Sequence, residues 1–218
     1  MSATTQSFAG LQSAVSGRGL PYAVKRLFDI GVAVAVCALL APLLIATVLG
    51  IKLTSPGPLL HRRRVVGRGG REFDAFKFRS MRVDADRVLQ ADAELWAAFQ
   101  ANHKLPRDPR VTPIGRVLRR YSIDELPQLL NVMRGEMSLI GPRMVTAPEL
   151  ERYGTHVSTL LSVQPGMTGL WQVSGRQTTS YDRRVELDVH YVEHWSLLLD
   201  LRILLKTPLV VLRGEGAY

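Results

Sequence analysis

One apolar stretch decides the fold of this chain. Residues 27–51 read LFDIGVAVAVCALLAPLLIATVLGI, and after Asp29 no charged side chain follows until Lys52. This is about the length of apolar helix that crosses a bilayer, roughly 20 residues. A polar segment precedes the stretch and no small-residue cleavage site follows it at once, which argues against a cleaved signal peptide. We therefore predict that residues 21–53 form a membrane helix that stays in the mature protein.

Two features of this helix bear on how it sits in the membrane. Pro42 lies inside the run, where it removes a helical hydrogen bond and clashes with the preceding turn, so we expect a kink there. Lys25 and Arg26 precede the run, and Lys52 and residues 62–64, all arginines, follow it. Because Lys and Arg collect on the cytoplasmic side, basic flanks at both ends favour a re-entrant helix over a single span. A buried helix of a soluble protein fits less well, because the run is apolar on all faces.

The composition of the whole chain narrows the class of protein. Its 218 residues fit one domain plus an anchor. The 28 basic and 19 acidic residues give a net charge of +9, which suits anionic lipids, nucleic acids or phosphorylated substrates without choosing among them. The single cysteine, Cys37, rules out an intramolecular disulfide and a cysteine-based metal site.

The rest of the chain predicts an α+β, mainly helical fold. Residues 1–20 are rich in Ser, Thr, Gln, Gly and Ala and predict a disordered leader. Residues 54–218 form the main domain. Within it we expect a β-hairpin around residues 67–70, a helix over residues 83–101, a second opening at Ser122, and a third over residues 148–162.

An interrupted apolar run lies near the C-terminal end of the sequence. Residues 196–212 contain Asp200, Arg202, Lys206 and Pro208, so the run is too short and too broken to span a bilayer. It either lies along the membrane interface with its apolar face down or packs into the core as an ordinary helix. The sequence leaves both readings open.

The local motif with the most chemical content is SIDELPQLLNVM at residues 122–133. Its first four residues, Ser122 to Glu125, have the form of a helix-capping box, and this structural reading is favoured on local sequence alone. In such a first turn, free backbone N–H groups and the helix dipole would favour the ionised form of Asp124. An ionised aspartate can attack phosphorus as a nucleophile. The two readings are compatible.

Several cations along the chain suit phosphate binding, because the planar arginine side chain can contact two phosphate oxygens at once. Taken singly, each is more often a solvated surface residue. They are Lys77, Arg79, Arg119, Arg120, Arg143 and Arg176. For Trp171, packing is favoured over stacking on a base. His190 and His194 are spaced as metal ligands but lack an evident third ligand, which favours a structural role.

Five motifs, in order along the chain, together resemble a known family. They are KRLFDI with the apolar run, KFRSM, SIDELPQLLNVMRGEMSLIGPR, QPGMTGLWQVSGR and LDVHYVEHWSLLLDL. They look like the monotopic phosphoglycosyl transferases, the bacterial sugar transferase family that initiates polysaccharide and glycoconjugate assembly. The resemblance runs from residue 22 to the end of the chain. One departure is Ala41, where family members often carry a serine before the kink proline.

The resemblance implies a two-step reaction. Asp124 would attack the β-phosphate of a UDP-sugar, release UMP and carry the sugar phosphate as a covalent ester, which undecaprenyl phosphate would then attack. Glu125 would be its catalytic partner. The family requires Mg²⁺, which neutralises diphosphate oxygens, and Asp124 would be its protein ligand. Asp188 and Asp200 match recurrent family acids without an assigned role. From the cation pattern and the resemblance together, the candidate substrate-binding residues are Lys77, Arg79, Arg119, Arg143, Gln172, Gly175 and Arg176.

The expected protein is thus a phosphoglycosyl transferase of the bacterial inner membrane. Its catalytic domain would lie on the cytoplasmic face, with interfacial helices against the bilayer and no nucleic acid as a partner. Glucose and galactose are both reasonable donor sugars, and the oligomeric state stays open, with a homodimer among the options. Two alternatives remain, a membrane-tethered basic binding module and a scaffold that binds UDP-sugar without turnover. The intact Asp124-Glu125 pair argues against the scaffold.

Overall fold

The structure is a computed structural model that describes residues 19–102, 105, 108–175 and 179–213. The predicted leader lies outside the described residues except for its last two positions, and so does Arg176. The helices and strands, in chain order, are α1 (Gly19–Leu39), α2 (Ala41–Thr54), β1 (Leu60–Val66), β2 (Glu72–Phe78), α3 (Ala85–Gln90), α4 (Ala93–Asn102), α5 (Pro113–Arg120), α6 (Gln128–Arg134), β3 (Ser138–Ile140), α7 (Val157–Leu161), β4 (Gly166–Thr168), α8 (Tyr181–Glu193) and α9 (Leu197–Arg213).

The fold is mainly helical with little sheet, as the sequence predicted. Strands β1 and β2 pair antiparallel, with Leu60 opposite Phe78 at the open end. Gly69 and Gly70, with φ of 67° and 76°, make the turn between them, so the predicted hairpin is confirmed. A second, parallel pair of three-residue strands, β3 and β4, was not predicted. Such short strands leave too little alternation in the sequence to be recognised.

The apolar stretch folds as two helices with a bend of 64° between them. The helical pattern breaks at Leu40, and Pro42 lies in the first turn of α2, where its missing N–H costs least. The chain therefore bends where the sequence predicted a kink. Among the described residues no single helix is both long and apolar enough to cross a membrane, whereas this bent pair meets that condition when taken together.

Helix α1 is held to the main domain by ionic contacts along its first half. Lys25 Nζ lies 2.7 Å from Asp200 Oδ2 in α9, and Asp29 Oδ2 accepts a hydrogen bond of 2.7 Å from Ser138 Oγ in β3. Arg26 donates to two carbonyl oxygens in the last turn of α6, at 2.5 and 2.9 Å. A cation at this position also interacts favourably with the helix dipole. The start of α1 is therefore tied to three separate elements.

Helix α2 is held to the same domain at its far end. Ile51 is 1 % exposed and packs in one apolar cluster with Phe78 of β2 and Leu118 of α5. Just after α2, the carbonyl oxygens of Ser55 and Pro56 accept hydrogen bonds of 2.5 and 2.7 Å from the Arg79 guanidinium. Both ends of the bent pair thus contact one domain. Between them, apolar side chains are exposed around the bend: Val34, Leu39, Leu43, Ile45 and Leu49.

Two of the predicted helices are broken in the structure. The helix expected over residues 83–101 is two helices, α3 and α4. Asp92 causes the break, because its Oδ1 accepts the backbone N–H groups of Glu94 and Leu95, both at 3.0 Å, and so starts a new helix. The helix expected over residues 148–162 is a 3₁₀ segment, Pro148–His156, followed by α7, and the backbone at Gly154 inside the 3₁₀ segment is non-helical.

Helix α6 packs against the hairpin through buried apolar side chains and is also hydrogen-bonded to it through Asn131, from which a stability prediction follows. Asn131 is fully buried; its Oδ1 accepts from Phe76 N at 3.0 Å and its Nδ2 donates to Asp74 O at 2.8 Å. Asn131→Ala leaves these strand groups without partners, so we expect the thermal unfolding midpoint to fall by about 5–10 °C. Leu130→Ala, at a neighbouring position that is 42 % exposed, is the control and should change it far less. Equal shifts in the two variants, measured by differential scanning fluorimetry in detergent, would contradict this role.

Candidate active site

The candidate site is a cavity of about 790 Å³ that opens beside the hairpin. Its polar end is formed by a pair of adjacent carboxylates and by cations from three elements. The residues at this end are Lys77, Arg119, Asp124, Glu125 and Arg143. All five were predicted from the sequence as catalytic or substrate-binding residues, and the fold brings them together although they are spread from position 77 to position 143 of the chain.

The backbone around Asp124 differs from the predicted capping box. Ser122 has a left-handed conformation, φ 54°, and its side chain makes no capping hydrogen bond. It ends α5 instead, because its backbone N–H donates to Arg119 O at 3.1 Å, as left-handed residues after a helix commonly do. Asp124 and Glu125 then lie in a 3₁₀ turn, Ile123–Glu125, and the α-helix starts only at Gln128. The capping-box prediction is therefore wrong.

The protonation of Asp124 is set by burial more than by the helix start. Asp124 is 8 % exposed. This burial removes water from its carboxylate and, together with the charge of the neighbouring Glu125, raises the pKa of Asp124 to about 6. Lys77 and Arg119 act in the opposite direction. The sequence predicted a favoured ionised form, which is wrong in direction because a short 3₁₀ turn cannot offset the loss of water. At neutral pH the carboxylate is nevertheless mostly ionised.

The nearest cations are themselves held in place. Lys77 Nζ lies 2.5 Å from Glu125 Oε1, so the Glu125 carboxylate is paired with a cation, whereas the adjacent Asp124 is buried. Arg119 donates from Nε to Ser80 Oγ at 2.8 Å, and burial lowers the pKa of Arg119. Both cations lie close to the carboxylates. They can attract an anionic ligand into the polar end.

Arg143 is positioned by a network that includes Asp188. Its guanidinium carbon lies 5.0 Å from the centre of the Trp171 ring, and its backbone N–H donates to Asp188 Oδ1 at 3.2 Å. Asp188 Oδ2 accepts from the Tyr153 hydroxyl at 2.8 Å, and burial raises the pKa of Asp188 to about 6. Arg184 also lies against the Trp171 ring, at 5.3 Å. Asp188 thus acts on the site through Arg143 and does not line the cavity itself.

Asp200 has a structural place in the fold. It is fully buried; its Oδ2 accepts from Lys25 Nζ at 2.7 Å and Trp195 Nε1 at 3.0 Å, and its Oδ1 accepts from the Tyr191 hydroxyl at 2.7 Å. These contacts join α9 to α1, to α8 and to the short connection that follows α8. The recurrent acid therefore links α1 to the domain.

The remaining candidates have different surroundings. Arg79 borders the cavity, but its two terminal nitrogens bind the carbonyl oxygens after α2, which favours a structural role over the predicted phosphate contact. Gln172 lines the cavity, and its buried Oε1 has no hydrogen-bond partner among the described residues. Gly175 is not among the lining residues, and Arg176 lies outside the described part of the chain.

Trp171 has two roles in the structure. It is 8 % exposed, in line with the packing that the sequence favoured, and it also forms part of the cavity wall next to Gln172. Its sequence signal is its place inside the motif QPGMTGLWQVSGR. His190 and His194 stack with ring centres 4.1 Å apart, and the described residues contain no group of three potential metal ligands. The structural reading of this histidine pair is the one these contacts favour.

Comparison with known proteins decides the family. Residues 20–214 match the family model described as bacterial sugar transferase. The chain belongs to this family. It is 44 % identical over 198 residues to the exopolysaccharide production protein ExoY of Sinorhizobium fredii, a match that covers 89 % of this chain and 88 % of that protein.

Other family relatives carry names that specify a reaction. The chain is 46 % identical over 200 residues to the undecaprenyl-phosphate galactose phosphotransferase of Salmonella typhimurium, covering 89 % of this chain but 42 % of that enzyme. It is 41 % identical over 204 residues to the UDP-glucose:undecaprenyl-phosphate glucose-1-phosphate transferase of Caulobacter vibrioides, covering 89 % of this chain and 72 % of that enzyme. These findings identify an enzyme of the sugar-phosphate transferase class.

The charges around Asp124 generate a prediction for two variants. Lys77 lowers the pKa of Asp124 and Glu125 raises it, so Lys77→Gln should raise that pKa above about 6 and Glu125→Gln should lower it. If the ionised form is the active one, the acid limb of kcat/KM for the sugar donor moves to higher pH in the first variant and to lower pH in the second.

The surface cation Arg183 provides the control for this pH experiment. It is 61 % exposed at its side chain and pairs with Glu186, so Arg183→Gln removes one positive charge away from the site and should leave the acid limb in place. Shifts of the same sign in the Lys77 and Glu125 variants would show that the acid limb does not report Asp124.

Proposed function

We propose that the protein transfers a hexose 1-phosphate from a UDP-sugar to undecaprenyl phosphate and releases UMP. The observation that carries this proposal is the buried Asp124, whose pKa near 6 keeps it mostly ionised at neutral pH, and which lines a cavity together with the cations Lys77, Arg119 and Arg143. The relatives named for galactose and glucose transfer to this carrier support the substrate class. The relative named as an exopolysaccharide production protein supports a role in polysaccharide assembly, where the enzyme would act at the first membrane step.

In the first step the carboxylate of Asp124 attacks the β-phosphorus of the UDP-sugar. A bond forms between the carboxylate oxygen and phosphorus, and the bond from phosphorus to the oxygen of UMP breaks, so UMP leaves with its electron pair. The products are UMP and a sugar phosphate ester on Asp124. Arg143 and Lys77 lie where they can stabilise the negative charge that builds up on the phosphoryl oxygens.

In the second step an oxygen of undecaprenyl phosphate attacks the same phosphorus. The bond to Asp124 breaks, the carboxylate is regenerated, and the sugar diphosphate lipid is the product. Donor and acceptor use one nucleophile in turn, so the kinetics are ping-pong. Glu125 is held by Lys77 at 2.5 Å beside this centre, which suits it to orient the acceptor phosphate or to take up its proton.

The acidic pair also fits the expected Mg²⁺. This ion is usually held by one or two carboxylates together with substrate phosphates, and does not need an all-protein cage. Asp124 and Glu125 provide two adjacent carboxylates at the polar end of the cavity, and the charge of Glu125 raises the pKa of Asp124, so a cation would relieve their repulsion. When bound there, Mg²⁺ would neutralise charge on the donor diphosphate.

The bent pair α1–α2 is proposed to be a re-entrant anchor in the cytoplasmic membrane. Two observations support this topology. Both ends of the pair contact the same domain, through Lys25 and Asp200 at one end and through Ile51 and Arg79 at the other. Since one domain cannot lie on both faces of a bilayer, the pair would enter and leave by the cytoplasmic face, with the exposed apolar bend between its ends in lipid.

The test of the proposed function is turnover with a panel of UDP-sugars. Purified protein in detergent with Mg²⁺ and undecaprenyl phosphate should release UMP from one or a few donors, and we expect these to carry glucose or galactose. Asp124→Asn should lower this release by at least 10³-fold, because the amide is a very weak nucleophile. Asp182→Asn, at an exposed position in the first turn of α8, is the matched control and should retain wild-type activity.

Two results would contradict this proposal. Folded wild-type protein that releases UMP from no member of the panel would favour a binding scaffold. Equal UMP release by wild type and Asp124→Asn would exclude Asp124 as the nucleophile.

A further inference from the structure

The cavity that contains Asp124 has a second, apolar end. Its wall there is built from two helices that are distant in sequence. Val32 and Val36 come from α1, and Leu204, Thr207 and Val211 come from α9. These residues line the same cavity as the carboxylates, so the polar and apolar ends are continuous. A cavity with one charged end and one apolar end matches a ligand with an ionic head and a hydrocarbon tail.

Helix α9 presents three different surfaces. Asp200 and Ile203 are buried against the domain, and the cavity edge adjoins them. A third surface is a stripe of leucines at helical spacing that are 44–71 % exposed. Its members are Leu198, Leu201, Leu205, Leu209 and Leu212. Such a continuous exposed apolar stripe is typical of a helix that lies against lipid.

The stripe is bordered by cations, which suits a position at the membrane surface. Arg202, Lys206 and Arg213 lie together along one side of α9, at i, i+4 and i+11. Anionic headgroups would be attracted to this side while the leucines face the acyl chains. With the leucines in lipid and the cavity edge on the neighbouring surface, α9 would form the border between the bilayer and the catalytic cavity.

The position of α9 at this border is fixed by polar contacts. The hydroxyl oxygens of Thr207 and Thr168 lie 2.9 Å apart, which joins the cavity edge of α9 to β4. About two helical turns earlier, Asp200 pairs with Lys25 of α1 at 2.7 Å. The two helices that line the apolar end of the cavity are therefore connected directly to each other by this ion pair.

We infer that the isoprenoid tail of the acceptor leaves the catalytic cavity between α1 and α9, with Leu204, Thr207 and Val211 as the residues that contact its first isoprene units. This inference rests on the proposed function and adds to it the route by which the lipid reaches Asp124. A cavity of about 790 Å³ has the size of an ordinary small-molecule site, so it holds only the phosphate end of the carrier. The rest of the chain stays in the bilayer beside the leucine stripe.

The route predicts a separation between the two half-reactions. The donor reacts at the polar end, so a change at the apolar wall should leave UMP release in the absence of acceptor unchanged. The acceptor tail passes the wall, so the same change should weaken its binding. A side chain that merely supports the fold would instead affect both half-reactions together.

Adjacent residues of α9 provide a matched pair for this test. Val211→Trp fills the apolar end of the cavity, whereas Leu212→Trp places the same ring at a position that is 71 % exposed and outside the lining. In lipid nanodiscs with Mg²⁺, Val211→Trp should raise KM for undecaprenyl phosphate by about tenfold and leave the amount and rate of acceptor-independent UMP release at wild-type values. Leu212→Trp should match wild type in both measurements.

A second variant keeps the route testable if Val211→Trp does not fold. Leu204→Ala removes contacts from the same wall without adding bulk, and should raise KM for undecaprenyl phosphate about threefold with UMP release intact. Wild-type KM in Leu204→Ala, or equal changes in Val211→Trp and Leu212→Trp, would overturn the route. Wild-type protein that releases no UMP from any UDP-sugar would overturn the proposed function itself, so the two failures can be told apart.

Discussion

The structure depends on the attachment of both ends of one bent apolar helix pair to a single domain. At the first end, Lys25 pairs with the fully buried Asp200, and at the other, Arg79 binds the carbonyl oxygens that follow α2. Breaking a buried ion pair on one side leaves an uncompensated charge, which is costly, so these contacts hold the relative position of anchor and domain firmly. The cavity with Asp124 is consequently kept next to the helices that carry the exposed apolar surface.

The chemistry follows from what this arrangement does to two adjacent carboxylates. Burial and the neighbouring charge raise the pKa of Asp124 to about 6, while Lys77 and Arg119 prevent a larger rise. With these opposing effects, the Asp124 carboxylate is mostly ionised at neutral pH and poorly hydrated. Such a carboxylate is better suited to act as a nucleophile than a fully solvated one. Arg143, held by Asp188 and in contact with Trp171, is a positioned cation, which suits the role proposed for it at the phosphoryl group.

Sequence reasoning predicted the features that depend on long patterns and missed those that depend on tertiary contacts. The bend near Pro42 and the hairpin follow from an apolar run, a proline and glycines, and Asp124 follows from a long motif. Ser122 was misread because the same four residues can end one helix or start another, and only the preceding helix decides. Arg79 has the composition of a phosphate ligand, and its carbonyl partners become visible only in three dimensions. For Trp171 the favoured packing agrees with its burial, but its place in the cavity wall becomes visible only in three dimensions.

The domain and both ends of the bent pair are proposed to lie on one face of the membrane. Cysteine accessibility tests it most directly, in a Cys37→Ser background with Pro21→Cys and Thr54→Cys, both at exposed positions at the outer ends of the pair. In sealed inverted vesicles, a membrane-impermeant maleimide should label both positions from the cytoplasmic side, and in right-side-out vesicles it should label neither. Labelling of the two positions from opposite sides would mean that the pair crosses the bilayer, and would contradict the account.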